Sequence, residues 1–97
     1  MHVASVEELE LKAVQYLQQY DPLSIGIFGS YARGDARPDS DLDLLVEFRE
    51  PKSLFTLVRI ERELSEALGI KADLLTERAI SPYLIDRIKA ELKVVYS

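Results

Sequence analysis

Apolar residues follow two different periods along this chain. Val6, Leu9, Ala13, Leu17 and Tyr20 recur at helical spacing and predict an amphipathic helix over residues 5–20. Ser5, with Glu8 three positions later, is a capping-box pattern at its start, and Asp21-Pro22 ends it. The spacing then tightens into dense β-rich runs. Leu23–Phe28 is one, stopping at Gly29, and Leu42–Phe48 is a second. Between them Gly29, Gly34, Pro38 and several short polar residues predict a loop or one short helical turn. Arg49–Ser53 reads as a turn with Ser53 as a cap, followed by a helix over Leu54–Leu68. Leu54, Leu57, Val58, Leu64 and Leu68 mark its expected inner face, and Gly69 is its stop. Ile70–Thr76 predicts a third strand. Ser81-Pro82 opens a last helix, with Leu84, Ile85, Ile88 and Leu92 on its buried side. The closing Val94-Val95-Tyr96 fits an added strand and a partner-covered apolar patch equally well.

These elements imply a fold class. The second and third strands flank a helix with short loops, which gives a right-handed crossover and a parallel pair. The first and second are joined by a short loop and should run antiparallel. The expectation is an α/β fold: a small mixed sheet in one domain spanning residues 1–97, with helices covering one face. Asp41 and Asp43 stand at the entrance of the second strand, and Asp73 stands near the start of the third. Parallel pairing of those strands would bring all three carboxylates to one end of the sheet.

The chemistry of that end is specific in its residue types. Gly29-Ser30, a ten-residue spacer and Asp41-x-Asp43 form one motif. Side chains alternate faces in a strand, so Asp41 and Asp43 share a side. Two close carboxylates repel unless a cation lies between them. Mg²⁺ takes hard oxygen ligands, commonly one or two carboxylates plus substrate phosphates. Gly29 permits close backbone approach to a phosphate, Ser30 adds a hydroxyl donor, and Arg33 offers a planar fork. Each piece alone has an ordinary explanation as turn, solvated loop or surface charge. Asp73, however, interrupts an apolar strand, where an unpaired acid is costly to bury.

Composition narrows the partners. The net charge of −5, without a Lys/Arg cluster or aromatic ladder, gives no footprint for direct nucleic-acid binding. An apolar share of 47% and a charged share of 30% are those of an ordinary globular domain. There is no cysteine, hence no disulfide framework or thiolate metal site. No apolar run reaches membrane length, and Met1–Ser5 lacks the basic-then-apolar order of a leader, so a cytoplasmic protein is expected. His2, the single histidine, is given no role.

Gly29-Ser30, the Ala32-Arg33-Gly34 turn, Ser40-Asp41-x-Asp43-Leu44 and Asp73 resemble the minimal nucleotidyltransferases of the DNA polymerase β superfamily. The resemblance covers nearly the whole chain, and it extends to the antitoxin half of MNT–HEPN toxin–antitoxin pairs. It implies a two-Mg²⁺ site on Asp41, Asp43 and Asp73, with Asp73 also the general base. It further implies phosphate binding by Gly29, Ser30, Arg33 and Ser40, and ATP as the nucleotide. The implied acceptor is a tyrosine hydroxyl on a HEPN ribonuclease toxin, which adenylylation silences.

Two function classes fit. One is an enzyme transferring a nucleoside monophosphate to a partner hydroxyl. The other is a non-catalytic antitoxin that neutralises its partner by covering it. Modification of a small molecule such as an aminoglycoside fits less well, because so short a chain has little room for a specific pocket. A homo-oligomer stays open.

Overall fold

Four strands order as β3-β2-β1-β4 in the computed structural model, which describes residues 5–97. They are β1 (Pro22–Phe28), β2 (Leu42–Phe48), β3 (Ala72–Leu75) and β4 (Lys93–Tyr96). The helices are α1 (Val6–Leu17), the single turn α2 (Ser30–Arg33), α3 (Leu54–Leu68) and α4 (Pro82–Glu91). His2 lies outside the described residues. As the loop lengths predict, β1 and β2 pair antiparallel while β2 and β3 pair parallel. The chain end is a strand: β4 adds to the free edge of β1, antiparallel, with Gly26 opposite Val94 and Ile27 opposite Lys93.

Alternation sorts the sheet into two faces. Ile25, Ile27, Leu42, Leu44, Val46, Ala72 and Leu74 point to one side and are buried there with Leu9, Ala13 and Leu17 of α1. α3 completes that layer with Ile60, Leu64 and Leu68. Ser5 caps α1, its hydroxyl accepting the Glu8 N–H at 3.1 Å, and Ser53 caps α3 on the Thr56 N–H at 3.2 Å. The two helices are tied by Tyr16, whose hydroxyl donates to Glu63 Oε2 at 2.6 Å. α3 also closes the β3 edge. Glu61 Oε2 accepts the Leu74 N–H at 2.7 Å and Ser65 Oγ accepts the Ala72 N–H at 2.9 Å. Those outward-facing amides would otherwise be open to a foreign strand.

Three expectations need correction. Leu84, expected on the buried side of α4, is 49% exposed, and no residue of α4 is fully buried, because that helix rests on the open, partly acidic face of the sheet. The buried stripe of α3 is Leu57, Ile60, Leu64 and Leu68, not the stripe through Leu54 and Val58, which are 73% and 57% exposed. At 3.6 residues per turn the last two sit roughly 60–100° round the helix from that stripe. Nor do helices cover one face alone. α4 lies against the opposite face, beside β1, where the Leu92 side chain fills the space over Gly26 that any larger residue would need. That face carries Phe28, Leu45, Asp43 and Asp73, so its apolar part needs a cover while its acidic end does not. Among the described residues no helix is long and apolar enough to cross a membrane.

The corrected α3 stripe is testable by urea denaturation. Leu64→Ala should cost about 2–5 kcal/mol, as truncation in a packed core does. Val58→Ala should stay within about 0.5 kcal/mol. A larger loss at Val58 than at Leu64 would restore the original assignment.

Candidate active site

β1 ends at Gly29, which has φ 75° and ψ −151°, a conformation that only glycine adopts readily. A second constraint acts on the same atom, because a methyl group at Gly29 would overlap the Asp43 carboxylate. The chain then makes the single turn α2, and Gly34 at φ 82° closes it, its N–H bonding the Ser30 carbonyl. This turn carries Ser30 and Arg33 above the sheet end. Arg33 is held charged chiefly by Asp35, whose Oδ2 lies 3.4 Å from Nε, and then by Glu91.

The acids arrive from two neighbouring strands. Asp43 pairs with Phe28 of β1 on one side and, in parallel register, with Asp73 of β3 on the other. The two carboxyl groups therefore project to the same face, at the same height, with Asp41 just ahead of Leu42. Burial and the neighbouring acids push the Asp43 carboxyl up to about 6. Burial is the largest cause, followed by the charge of Asp73, a hydrogen bond to it, and the charge of Asp41. Arg33 opposes the rise.

A cation of the chain already answers part of this charge. Lys71 Nζ lies 3.7 Å from Asp41 Oδ2 and 3.8 Å from Asp73 Oδ1, bridging the two carboxylates. Among the described residues no three acidic side chains close around one point as a preformed metal cage. The arrangement is instead a close pair, Asp43–Asp73, with Asp41 linked through Lys71. Such a set suits Mg²⁺, which needs only one or two carboxylates when phosphates and water supply the other ligands. The bridging ammonium marks where positive charge is wanted.

A cavity of about 500 Å³ joins the two halves. Gly29, Ser30, Arg33, Asp41 and Asp43 line one wall, and Arg87, Ile88 and Glu91 of α4 line the other. Ser40 is not on that wall; its hydroxyl accepts the Arg37 N–H at 2.7 Å within the connecting loop. A second hollow, about 510 Å³, lies at the far end of the sheet beside Phe48 and Arg78 and contains none of the motif residues. Sequence reasoning missed two residues. Lys71 precedes Asp73 by two positions, so strand alternation alone could have placed it on the acidic side. Glu91 had no such signal, lying 62 residues from the Gly29 amide that it accepts.

Residues 10–95 match the nucleotidyltransferase domain family. The chain belongs to that family. Protein adenylyltransferase MJ0435 of Methanocaldococcus jannaschii, a provisional name, is 45% identical over 87 residues, covering 90% of this chain and 94% of that protein. Protein adenylyltransferase MntA of Thermococcus cleftensis is 33% identical over 100 residues, covering 99% of each. Among solved structures, the fold matches a chain of the complex between a tri-AMPylated Shewanella oneidensis HEPN toxin and its MNT antitoxin. There the TM-score is 0.79 at 21% identity, over 96% of this chain and 73% of that one. This nucleotidyltransferase domain thus has the polymerase β-type fold of the minimal members.

The raised Asp43 carboxyl has a sign that can be checked. Its protonated form favours the metal-free fold, so the contribution is present below the ordinary value of 3.8 and is lost as pH rises through about 6. Asp43→Asn cannot ionise. Without metal, it should raise the thermal midpoint relative to the parent at about pH 7.5 and make little difference near pH 4. Equal destabilisation at both pH values would mean that the carboxylates are not strained against each other.

Proposed function

We propose that this domain transfers AMP from ATP, with Mg²⁺, to a hydroxyl of a partner protein, and so acts as the antitoxin of a HEPN ribonuclease. The acceptor in this reading is a tyrosine. One observation carries it: Asp43, registered beside Asp73 on parallel strands, shares one wall of a cavity with Asp41 and the Gly29–Arg33 turn. The names of the adenylyltransferase relatives and the AMPylated toxin of the structural neighbour support the same reading.

In this scheme Asp41, Asp43 and Asp73 would hold two Mg²⁺ ions. Bound there, they would neutralise the pyrophosphate and lower the pKa of the acceptor hydroxyl. Ser30, the Gly29 amide and Arg33 orient the β- and γ-phosphates, and Ser40 shapes the connecting loop from its end. The acceptor oxygen attacks the α-phosphorus, and a new O–P bond forms as the bond to pyrophosphate breaks. The hydroxyl proton passes in this scheme to Asp73, the carboxylate registered beside Asp43. A phosphate diester linkage to the partner and free pyrophosphate are the products.

Intact mass spectrometry of the cognate partner, after incubation with ATP and Mg²⁺, should show added AMP. Asp73→Asn should slow transfer by about 10²–10⁴-fold, the contribution of a positioned base, while ATP still binds. Neutralisation of the partner without mass change, equally by the parent and by Asp73→Asn, would favour the covering antitoxin instead. A separate expectation concerns metal. Calorimetry should find Mg²⁺-dependent ATP binding that Asp41→Ala combined with Asp43→Ala removes. Equal affinity in that double variant would refute the assigned carboxylates.

A further inference from the structure

Glu91 is the last residue of α4 and belongs to no motif, yet it occupies the cradle assigned to phosphate. The Gly29 N–H donates to its Oε1 at 2.9 Å, and Arg33 Nη1 lies 3.4 Å from its Oε2 and 3.5 Å from its Oε1. A carboxylate and a phosphate oxygen ask for the same donors, a backbone N–H and a guanidinium. The Gly29 amide is already taken by the chain itself, and one arm of the Arg33 fork is engaged by the same carboxylate. Glu91 is held there: its side chain is 30% exposed, and the contact to the Gly29 amide is partly buried.

The surrounding charge makes this more than a local pairing. Asp41, Asp43 and Glu91 line the cavity against only Arg33 and Arg87, and Lys71 answers Asp41 and Asp73 from outside it. An anion that enters alone meets three carboxylates and finds the Gly29 amide and one arm of Arg33 engaged. A ligand that brings its own divalent cation neutralises the aspartates and can then compete for the Gly29 amide. Displaced, Glu91 has another partner available, because Arg87 is four residues back on the same helix face.

We propose that Glu91 is a specificity-determining residue, an internal anion that makes phosphate binding at this site conditional on a metal-paired polyphosphate. The proposal rests on the nucleotide reading given above. It predicts discrimination against inorganic phosphate, monophosphates and metal-free ATP, without any dedicated contact to those ligands.

The test is calorimetric binding of ATP and of inorganic tripolyphosphate to the full chain, each with chelator and with Mg²⁺. Glu91→Gln keeps an oxygen that accepts the Gly29 N–H but loses the charge. It should tighten metal-free binding of both ligands about tenfold or more, equivalent to about 1.4 kcal/mol, and so narrow the gap between metal-free and Mg²⁺ conditions. Glu91→Ala, which preserves helix propensity, should shift the gap in the same direction, and circular dichroism confirms that each variant is folded. Parental binding of Mg²⁺–ATP with no metal-free gain in either folded variant overturns the role of Glu91. Weaker binding in both overturns it too, by making Glu91 a support of the cradle. Failure of the parent and both variants to bind Mg²⁺–ATP overturns the nucleotide reading itself.

Discussion

Two like charges held side by side set the terms for this domain. The parallel register of β2 and β3 fixes Asp43 opposite Asp73, and neither side chain can turn away without leaving the face that alternation assigns to it. The strain is offset on the other side of the same strands. Leu42, Leu44 and Leu74, whose side chains point the opposite way, are buried against α1 and α3. A pleated sheet thus lets one short segment serve a dry core and a charged site at once. The core supplies the stability, and the site uses some of it to keep carboxylates closer than they would choose in water.

The rest of the site is built by answering charge with charge. Lys71 bridges Asp41 and Asp73, and Glu91 holds the Gly29 amide and Arg33. Asp41, Asp73, Arg33 and the Gly29 amide each have an internal partner of opposite sign, and none of those pairs is fully buried. Exposed ion pairs of this kind are individually weak, so they can be exchanged for ligand contacts without unfolding the surroundings. The backbone beneath them is less forgiving. Gly29 is constrained twice, by its positive φ and by the Asp43 carboxylate packed against it. That junction joins the Ser30–Arg33 turn to the acidic strand ends.

α4 and β4 connect this chemistry to the outer surface. Glu91 ends the helix, Leu92 packs over Gly26, and Lys93 begins the strand that pairs with β1. A change at Glu91 is therefore mechanically close to the edge of the sheet. The exposed Tyr83 and Leu84 stand at the other end of the same helix.

By itself the sequence determined the elements, their order and the motif. Caps at Ser5, Ser53 and Ser81, the stop at Gly69 and the two hydrophobic periods are local signals, and local signals survive in the linear chain. Short connections then imposed the antiparallel and parallel pairings, which put Asp43 beside Asp73. Tertiary structure decided what depends on distant partners. It chose Ile60 over Val58 for the inside of α3, because α1 and the sheet approach from one direction only. It placed α4 on the acidic face and made the chain end a strand, since only the assembled sheet presents the free edge of β1. It also brought Glu91 onto the Gly29 amide, a contact across 62 residues that no spacing rule encodes. Periodicity tells a helix that it has an inner face, but the neighbours that fill space decide which residues meet there.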